Sequence, residues 1–242
     1  MAGRLRYSME KYRGQQRADV IGPDLEPRGA LLLWHGRIPN DRQVLRTLAV
    51  GLAHRGIVSI VPDFGCDDDD GGLEDLTASI EAFQMLTTDS GILSTAIGGW
   101  SYGARLAAAY ALEHPDQFSR CIGFDGRYSE EYTPVASARP TDLVGRGDPV
   151  DFMLVRGSEE SVVPPEYSIE FARLLTEAGH TCVAHLDYPT DHAGVVCARF
   201  DPGSGLCVPI LSADLTSFHH QLLDRAADFI AHGSHVSQVN AN

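Results

Sequence analysis

The chain has one lysine, Lys11, among its 19 basic residues. It therefore offers no P-loop lysine motif and no interior amine for a Schiff base. Its five cysteines form no CxxC pair and are odd in number, which argues against a zinc ribbon and a disulfide framework. Cys197 and Cys207, which flank "DPGSG", are spaced to close a small loop, but reduced thiols are the expectation in a cytosolic protein. No apolar run approaches the length of a membrane span. The opening "MAGRLRYSMEKYRGQQ" lacks the apolar core of a secretory signal, so a cytoplasmic location away from the membrane is expected. Cationic residues are outnumbered, and the net charge of −14 argues against sequence-independent nucleic-acid binding. Four consecutive aspartates in "CDDDDGG" (66–72) do not alternate ligand and spacer as a calcium loop does. They read as a solvated loop favouring the next helix start, and neither a metal nor another cofactor is expected.

No internal repeat, low-complexity block or linker interrupts the 242 residues, so one domain over 1–242 is expected, with the polar stretch 233–242 frayed. Short apolar runs alternate with helical patterns. "ALLLWHG" (30–36), "IVSIVPDFG" (57–65), "STAIGGW" (94–100), "RCIGFDG" (120–126), "DFMLVRG" (151–157) and "TCVAHLDYP" (181–189) read as strands. Between them, "DRQVLRTLAVGLAHRG", "LEDLTASIEAFQML", "YGARLAAAYALEHP" and "PEYSIEFARLLTEAG" read as helices, and "DLTSFHHQLLDRAADFIAHG" closes the chain as another. This alternation predicts an α/β fold, a mainly parallel sheet covered by helices on both faces, with an antiparallel edge from the segment before residue 30. Ligands bind such sheets beyond the carboxyl ends of the strands.

One loop there stands out. Gly99-Trp100-Ser101-Tyr102-Gly103 fits G-x-S-x-G at a strand-to-helix turn. In that elbow a serine takes a strained conformation and projects its oxygen above the sheet. The alternative is a glycine-rich turn with a solvated serine. On "GWSYG", "RGALLLWHG", "GSEESVVPP" and "YSIEFARLLTEAG" the chain resembles the α/β-hydrolase superfamily over essentially its whole length. It is similar to small carboxylesterases, dienelactone hydrolases and prolyl-oligopeptidase-type catalytic domains. No β-propeller or long amino-terminal extension is present, which counts against a peptidase.

The resemblance implies a chain order of serine, acid, histidine. A serine hydroxyl needs a base, and "LDYPTDHAG" supplies His192 directly after the last strand. In the resembling family the acid lies in G-x-x-D-x-x-V-P. Here that stretch runs from Gly157 to Pro164 and puts Glu160 on the acid position, a variant from the usual aspartate. Glu159 and Asp125 are the competing candidates. One oxyanion donor is expected from the backbone N–H of Tyr102. By resemblance to a His-Gly-X pattern, the other is the N–H of Arg37. Tyr102 and Trp100 flank the acyl site and are candidates for substrate contact, with simple packing as the other reading. Residues 127–150 are too few for a folded cap domain and predict an open site with a small flap carrying Tyr128 and Tyr132. The stretch after His192 predicts a second flap.

The expected activity is cofactor-free hydrolysis of a small carboxylic ester through an acyl-enzyme. Amide or lactone cleavage, of arylformamidase or dienelactone-hydrolase type, is the rival chemistry. A catalytically silent binding protein on the same scaffold is the rival of another class. The oligomeric state is not legible in the sequence.

Overall fold

The protein is described from a computed structural model covering residues 4–66, 70–130 and 133–233. Residues 234–242 of the end expected to fray from 233, Asp67 to Asp69 of the aspartate run, and Tyr132 lie outside the described residues.

Strand β3 (Gly29–Trp34) shows why the apolar runs become strands. Alternate side chains leave a strand on opposite faces, and β3 is buried on both. Leu31 and Leu33 enter one core, while Ala30, Leu32 and Trp34 enter the other. Beside it lie β4 (Ile57–Pro62) and β5 (Thr95–Trp100), both parallel to it. The sheet continues in parallel through β6 (Arg120–Phe124), β7 (Asp151–Gly157) and β8 (Cys182–Tyr188). The amino-terminal segment forms β1 (Leu5–Arg13) and β2 (Gln16–Pro23), an antiparallel pair added beside β4. The spatial order is β1-β2-β4-β3-β5-β6-β7-β8.

Helices α1 (Arg46–Ala53) and α6 (Ser217–His232) cover one face, with Leu48, Leu52, Leu222 and Leu223 in a common core. The two helices pack closely at Gly51, where a Cβ would come within 2.6 Å of the Leu223 side chain. The other face carries α2 (Leu73–Asp89), α3 (Tyr102–Glu113), the single turn α4 (Pro140–Leu143) and α5 (Pro165–Glu177). Helix α3 is buried nearly all round, which is why it is rich in alanine. Asp70 starts α2 as the sequence suggests, its carboxylate accepting the N–H of Gly72 (2.9 Å) and Glu74 (3.2 Å).

One local expectation is revised. The helix read from residue 41 begins instead as a 3-10 turn, Arg42–Leu45, before α1. The long stretch after His192 contains a hairpin, β9 (Ala198–Asp201) with β10 (Leu206–Pro209). Cys207 sits opposite Phe200 in that hairpin, and both Cys197 and Cys207 are free thiols. Among the described residues, no helix is long and apolar enough to cross a membrane.

Candidate active site

Ser101 joins β5 to α3 with φ 55° and ψ −110°, a conformation that L side chains rarely adopt. Its N–H donates to the carbonyl of Phe124 at the end of β6 (2.8 Å). The flanking glycines follow from the packing that holds this turn. A Cβ on Gly99 would run into the backbone of Gly103, and one on Gly103 into the carbonyls of Trp34 and His35. The first turn of α3 thus crosses β5 and the end of β3 with no space for a methyl group.

His192 follows β8. The indole Nε1–H of Trp100 donates to its carbonyl (2.8 Å), and the two rings lie 5.1 Å apart. The imidazole Nδ1–H donates to Glu160 Oε2. The other oxygen of Glu160 accepts the backbone N–H of Val162 and of Val163, the latter at 2.9 Å. Burial pushes the Glu160 pKa up, but the His192 bond and the two N–H donors outweigh it and hold it down at about 2. Glu160 is therefore a carboxylate, locked by the loop that carries it. Glu159 is exposed, and its backbone N–H is tied to Thr190 (3.0 Å). Asp191 caps its own loop by accepting from Ala193 and Gly194 (3.2 and 2.9 Å).

Asp125 directly follows β6 with φ 49° and is fully buried. Burial first, then the Glu160 carboxylate, pushes its pKa up to about 9, so it is a neutral acid at pH 7. Asp125, Glu160 and His192 also have potential ligand atoms within 4.8 Å of one another. Glu160 and His192 spend those atoms on each other, and a protonated Asp125 is a poor ligand, so the set fits a hydrogen-bonded relay better than a cation site.

The loop after β3 is built around His35. The Phe64 N–H donates to His35 Nε2 (3.3 Å), so Nδ1 carries the proton and donates to the Gly36 carbonyl (2.8 Å). Burial lowers the His35 pKa to about 4 and keeps the ring neutral. The Cys66 thiol faces the same carbonyl at 3.6 Å. A trans peptide sets its C=O and N–H in opposite directions. The Arg37 N–H therefore points away from His35. A Cβ on Gly36 would lie 3.8 Å from Ser101 Cβ, so this loop borders the elbow. The sequence marked His35 only as part of the loop. Its role as the prop beneath Gly36 depends on the distant Phe64 and was not readable locally.

A cavity of about 140 Å3 opens at Ser101, lined by Arg37, Tyr102, Arg105 and Arg127 together with Glu130 and Val162. Two hollows of about 630 Å3 lie elsewhere and contain none of the elbow residues. Of the two residues read as candidates for substrate contact, Tyr102 lines the small cavity, whereas Trp100 is not in its lining and backs the His192 loop. Tyr128 is not on a flap. It is buried, stacked on Phe171 with ring centroids 4.2 Å apart, and its hydroxyl occupies the space a Cβ on Gly123 would need.

No family model and no curated protein matches the sequence. Solved structures do match in fold. A Pyrobaculum calidifontis esterase superposes with TM-score 0.64 at 15% identity, over 94% of this chain and 84% of that one. A putative dienelactone hydrolase from Klebsiella pneumoniae gives 0.68 at 15% identity, over 95% and 100%. Thermogutta terrifontis esterase 2, phosphorylated by paraoxon, gives 0.67 at 17% identity, over 93% of each chain. These likenesses, the strand order and the serine-bearing turn after β5 identify the fold of this chain as that of the α/β hydrolases.

Proposed function

We propose that the protein is a serine hydrolase that cleaves a small carboxylic ester through an acyl-enzyme, with Ser101, His192 and Glu160 as its triad. The observations that carry the reading are a strained serine at the β5–α3 elbow and a histidine whose Nδ1–H is held by a carboxylate, on a loop that the neighbouring Trp100 ties to the elbow. Three strands contribute these groups at the same sheet edge. The named activity of esterase neighbours, one of them phosphorylated by paraoxon, agrees with it.

In this mechanism Ser101 Oγ attacks the ester carbonyl and its proton passes to Nε2 of His192. Glu160 holds the tautomer with Nε2 free to accept and stabilises the imidazolium that results. Negative charge gathers on the former carbonyl oxygen. The N–H of Tyr102, first in α3, and the N–H of Arg37, turned outward by the Gly36–His35 bond, meet that charge. His192 then returns the proton to the departing alcohol, and water repeats the sequence in reverse to free the acid. The chain's own residues supply every proton transfer, so no cofactor is invoked. The alcohol and acid leave by an open face, since among the described residues the connections after β6 and His192 contribute only single helical turns and the β9–β10 hairpin.

A fluorophosphonate probe tests this directly. The parent protein should be labelled on Ser101 and should cleave 4-nitrophenyl acetate, and Ser101→Ala should do neither. A folded parent that takes no label and leaves aryl esters, anilides and lactones intact would favour the silent binding protein.

A further inference from the structure

The cavity beside Ser101 has an unusual charge for this molecule. The chain carries a net charge of −14, yet three arginines line this small space against one acid, Glu130, among the described residues. They arrive from three separate places: Arg37 after β3, Arg105 near the start of α3, and Arg127 after β6. The Tyr102 ring gathers two of them, with Arg37 Cζ 5.1 Å and Arg105 Cζ 5.0 Å from its centroid. Arg127 is fixed by its Nη2 bond to the Val162 carbonyl (2.6 Å), on the loop that also presents Glu160.

Arg105 is the informative one. Its side chain is only 3% exposed, and its Nε–H has no hydrogen-bond partner. A buried guanidinium is expensive unless its charge and donors are matched. Glu130 supplies a partial match, accepting from Arg105 and from Arg127 Nη1, the latter at 3.0 Å. Burial nevertheless outweighs the Glu130 pairing and lowers the Arg105 pKa. Arg37 has no ion-pair partner among the described residues. The cavity thus holds a carboxylate already, in the fork between two arginines, with unused positive charge and an unused donor remaining beside it.

We propose that the substrate of this site carries its own carboxylate close to the scissile ester, and that Arg37, Arg105 and Arg127 bind it. The inference rests on the hydrolase reading above and names its substrate class. A planar fork of donors suits a carboxylate specifically. At about 140 Å3 the cavity is smaller than ordinary ligand sites of ~300–1,000 Å3, so the anionic group is short. Glu130 occupies the fork and competes for it with the substrate's carboxylate.

Matched ester pairs test this. One is 3-acetoxybenzoate against its methyl ester, with the charge on the alcohol side. The other is 4-nitrophenyl hydrogen adipate against 4-nitrophenyl methyl adipate, with the charge on the acyl side. In at least one pair the carboxylate should be favoured tenfold or more in kcat/KM, and rising salt should erode the preference. Within the same pair the ratio should fall toward unity in Arg127→Met and in Arg37→Met, and rise in Glu130→Gln. Arg105 is too deeply buried for its removal to be diagnostic. Cleavage of neutral esters with no preference for the charged partner in either pair overturns the proposal and leaves the hydrolase reading standing. If no ester is cleaved and Ser101 takes no probe, the hydrolase reading fails. Calorimetric titration of 3-hydroxybenzoate then decides the anion site by itself. Salt-sensitive binding weakened at least fivefold in Arg127→Met supports it, and equal or absent binding overturns it.

Discussion

His192 Nδ1 lies 3.9 Å from a carboxylate oxygen of Asp125, yet its hydrogen bond goes to Glu160. Two acids compete for one imidazole, and the hydrogen-bond donors around them decide the outcome. Glu160 receives two backbone N–H bonds that favour its charge, while at Asp125 burial and the neighbouring Glu160 carboxylate outweigh Arg156 and a backbone bond from Gly157, so it keeps its proton.

Three amide substitutions separate the acids. Glu160→Gln keeps the shape and removes the charge that stabilises imidazolium. Ester hydrolysis at neutral pH should fall on the order of 10³- to 10⁴-fold. Asp125→Asn replaces a neutral acid by a neutral amide and should change kcat less than about tenfold, as should exposed Glu159→Gln. One assay across all three checks the assignment; a crippled Asp125→Asn beside a healthy Glu160→Gln would reverse it.

The same two groups set opposite pH trends in stability. Folded Asp125 binds a proton where the unfolded chain has released it, so stability falls as pH rises from about 4 toward about 9. The slope is at most about 1.4 kcal/mol per pH unit. Glu160, held at about 2, contributes stability above about 4.3 that is lost as pH falls through its folded value. Asp125→Asn should therefore raise Tm relative to the parent at pH 8 and change it little at pH 4. Thermal unfolding followed by circular dichroism at both pH values reads this. A larger gain at pH 4 than at pH 8 would mean that the buried acid is ionised.

The elbow should show its strain. Ser101→Ala and Ser101→Gly both remove the proposed nucleophile, and turnover should drop by several orders of magnitude in each. Glycine accepts φ 55° without the Cβ penalty. The glycine variant should thus be more stable than the alanine variant by about 1 kcal/mol in urea unfolding. Equal stabilities would show that the turn stores no strain.

Gly103→Ala should be costly for another reason. Its new methyl group would meet the carbonyls of Trp34 and His35, and backbone cannot swing aside as a side chain does. A loss of about 2–3 kcal/mol is expected, together with lower activity because α3 and the Tyr102 N–H are displaced. Urea midpoints and kcat on the same preparation test both parts.

Acyl-chain length provides a further check. Each well-buried methylene would add roughly 0.8 kcal/mol, but the cavity at Ser101 is small. Values of kcat/KM for 4-nitrophenyl acetate, butyrate and octanoate should peak at the short end. A steady rise to octanoate would require a deep acyl tunnel.

Much of this protein is legible along the chain, because the signals are local. Alternating apolar runs and helical spacings foretell the sheet and its layers. The Gly99–Gly103 pattern marks a strand-to-helix turn because the two glycines answer to contacts made within that turn and its neighbouring strand. His192 stands out in the sequence by its place after the last long strand. The remainder depends on groups that meet only when the strands assemble out of sequence order, with β3 between β4 and β5. Whether Glu160 or Asp125 takes the imidazole proton depends on burial and on backbone donors that no spacing encodes. Trp100 serves the His192 loop rather than the cavity because a residue 92 positions later offers its carbonyl. Arg37, Arg105 and Arg127 look like ordinary surface charge in the sequence. They become one cationic recess because Tyr102, Glu130 and the ends of three strands bring them to the same edge of the sheet.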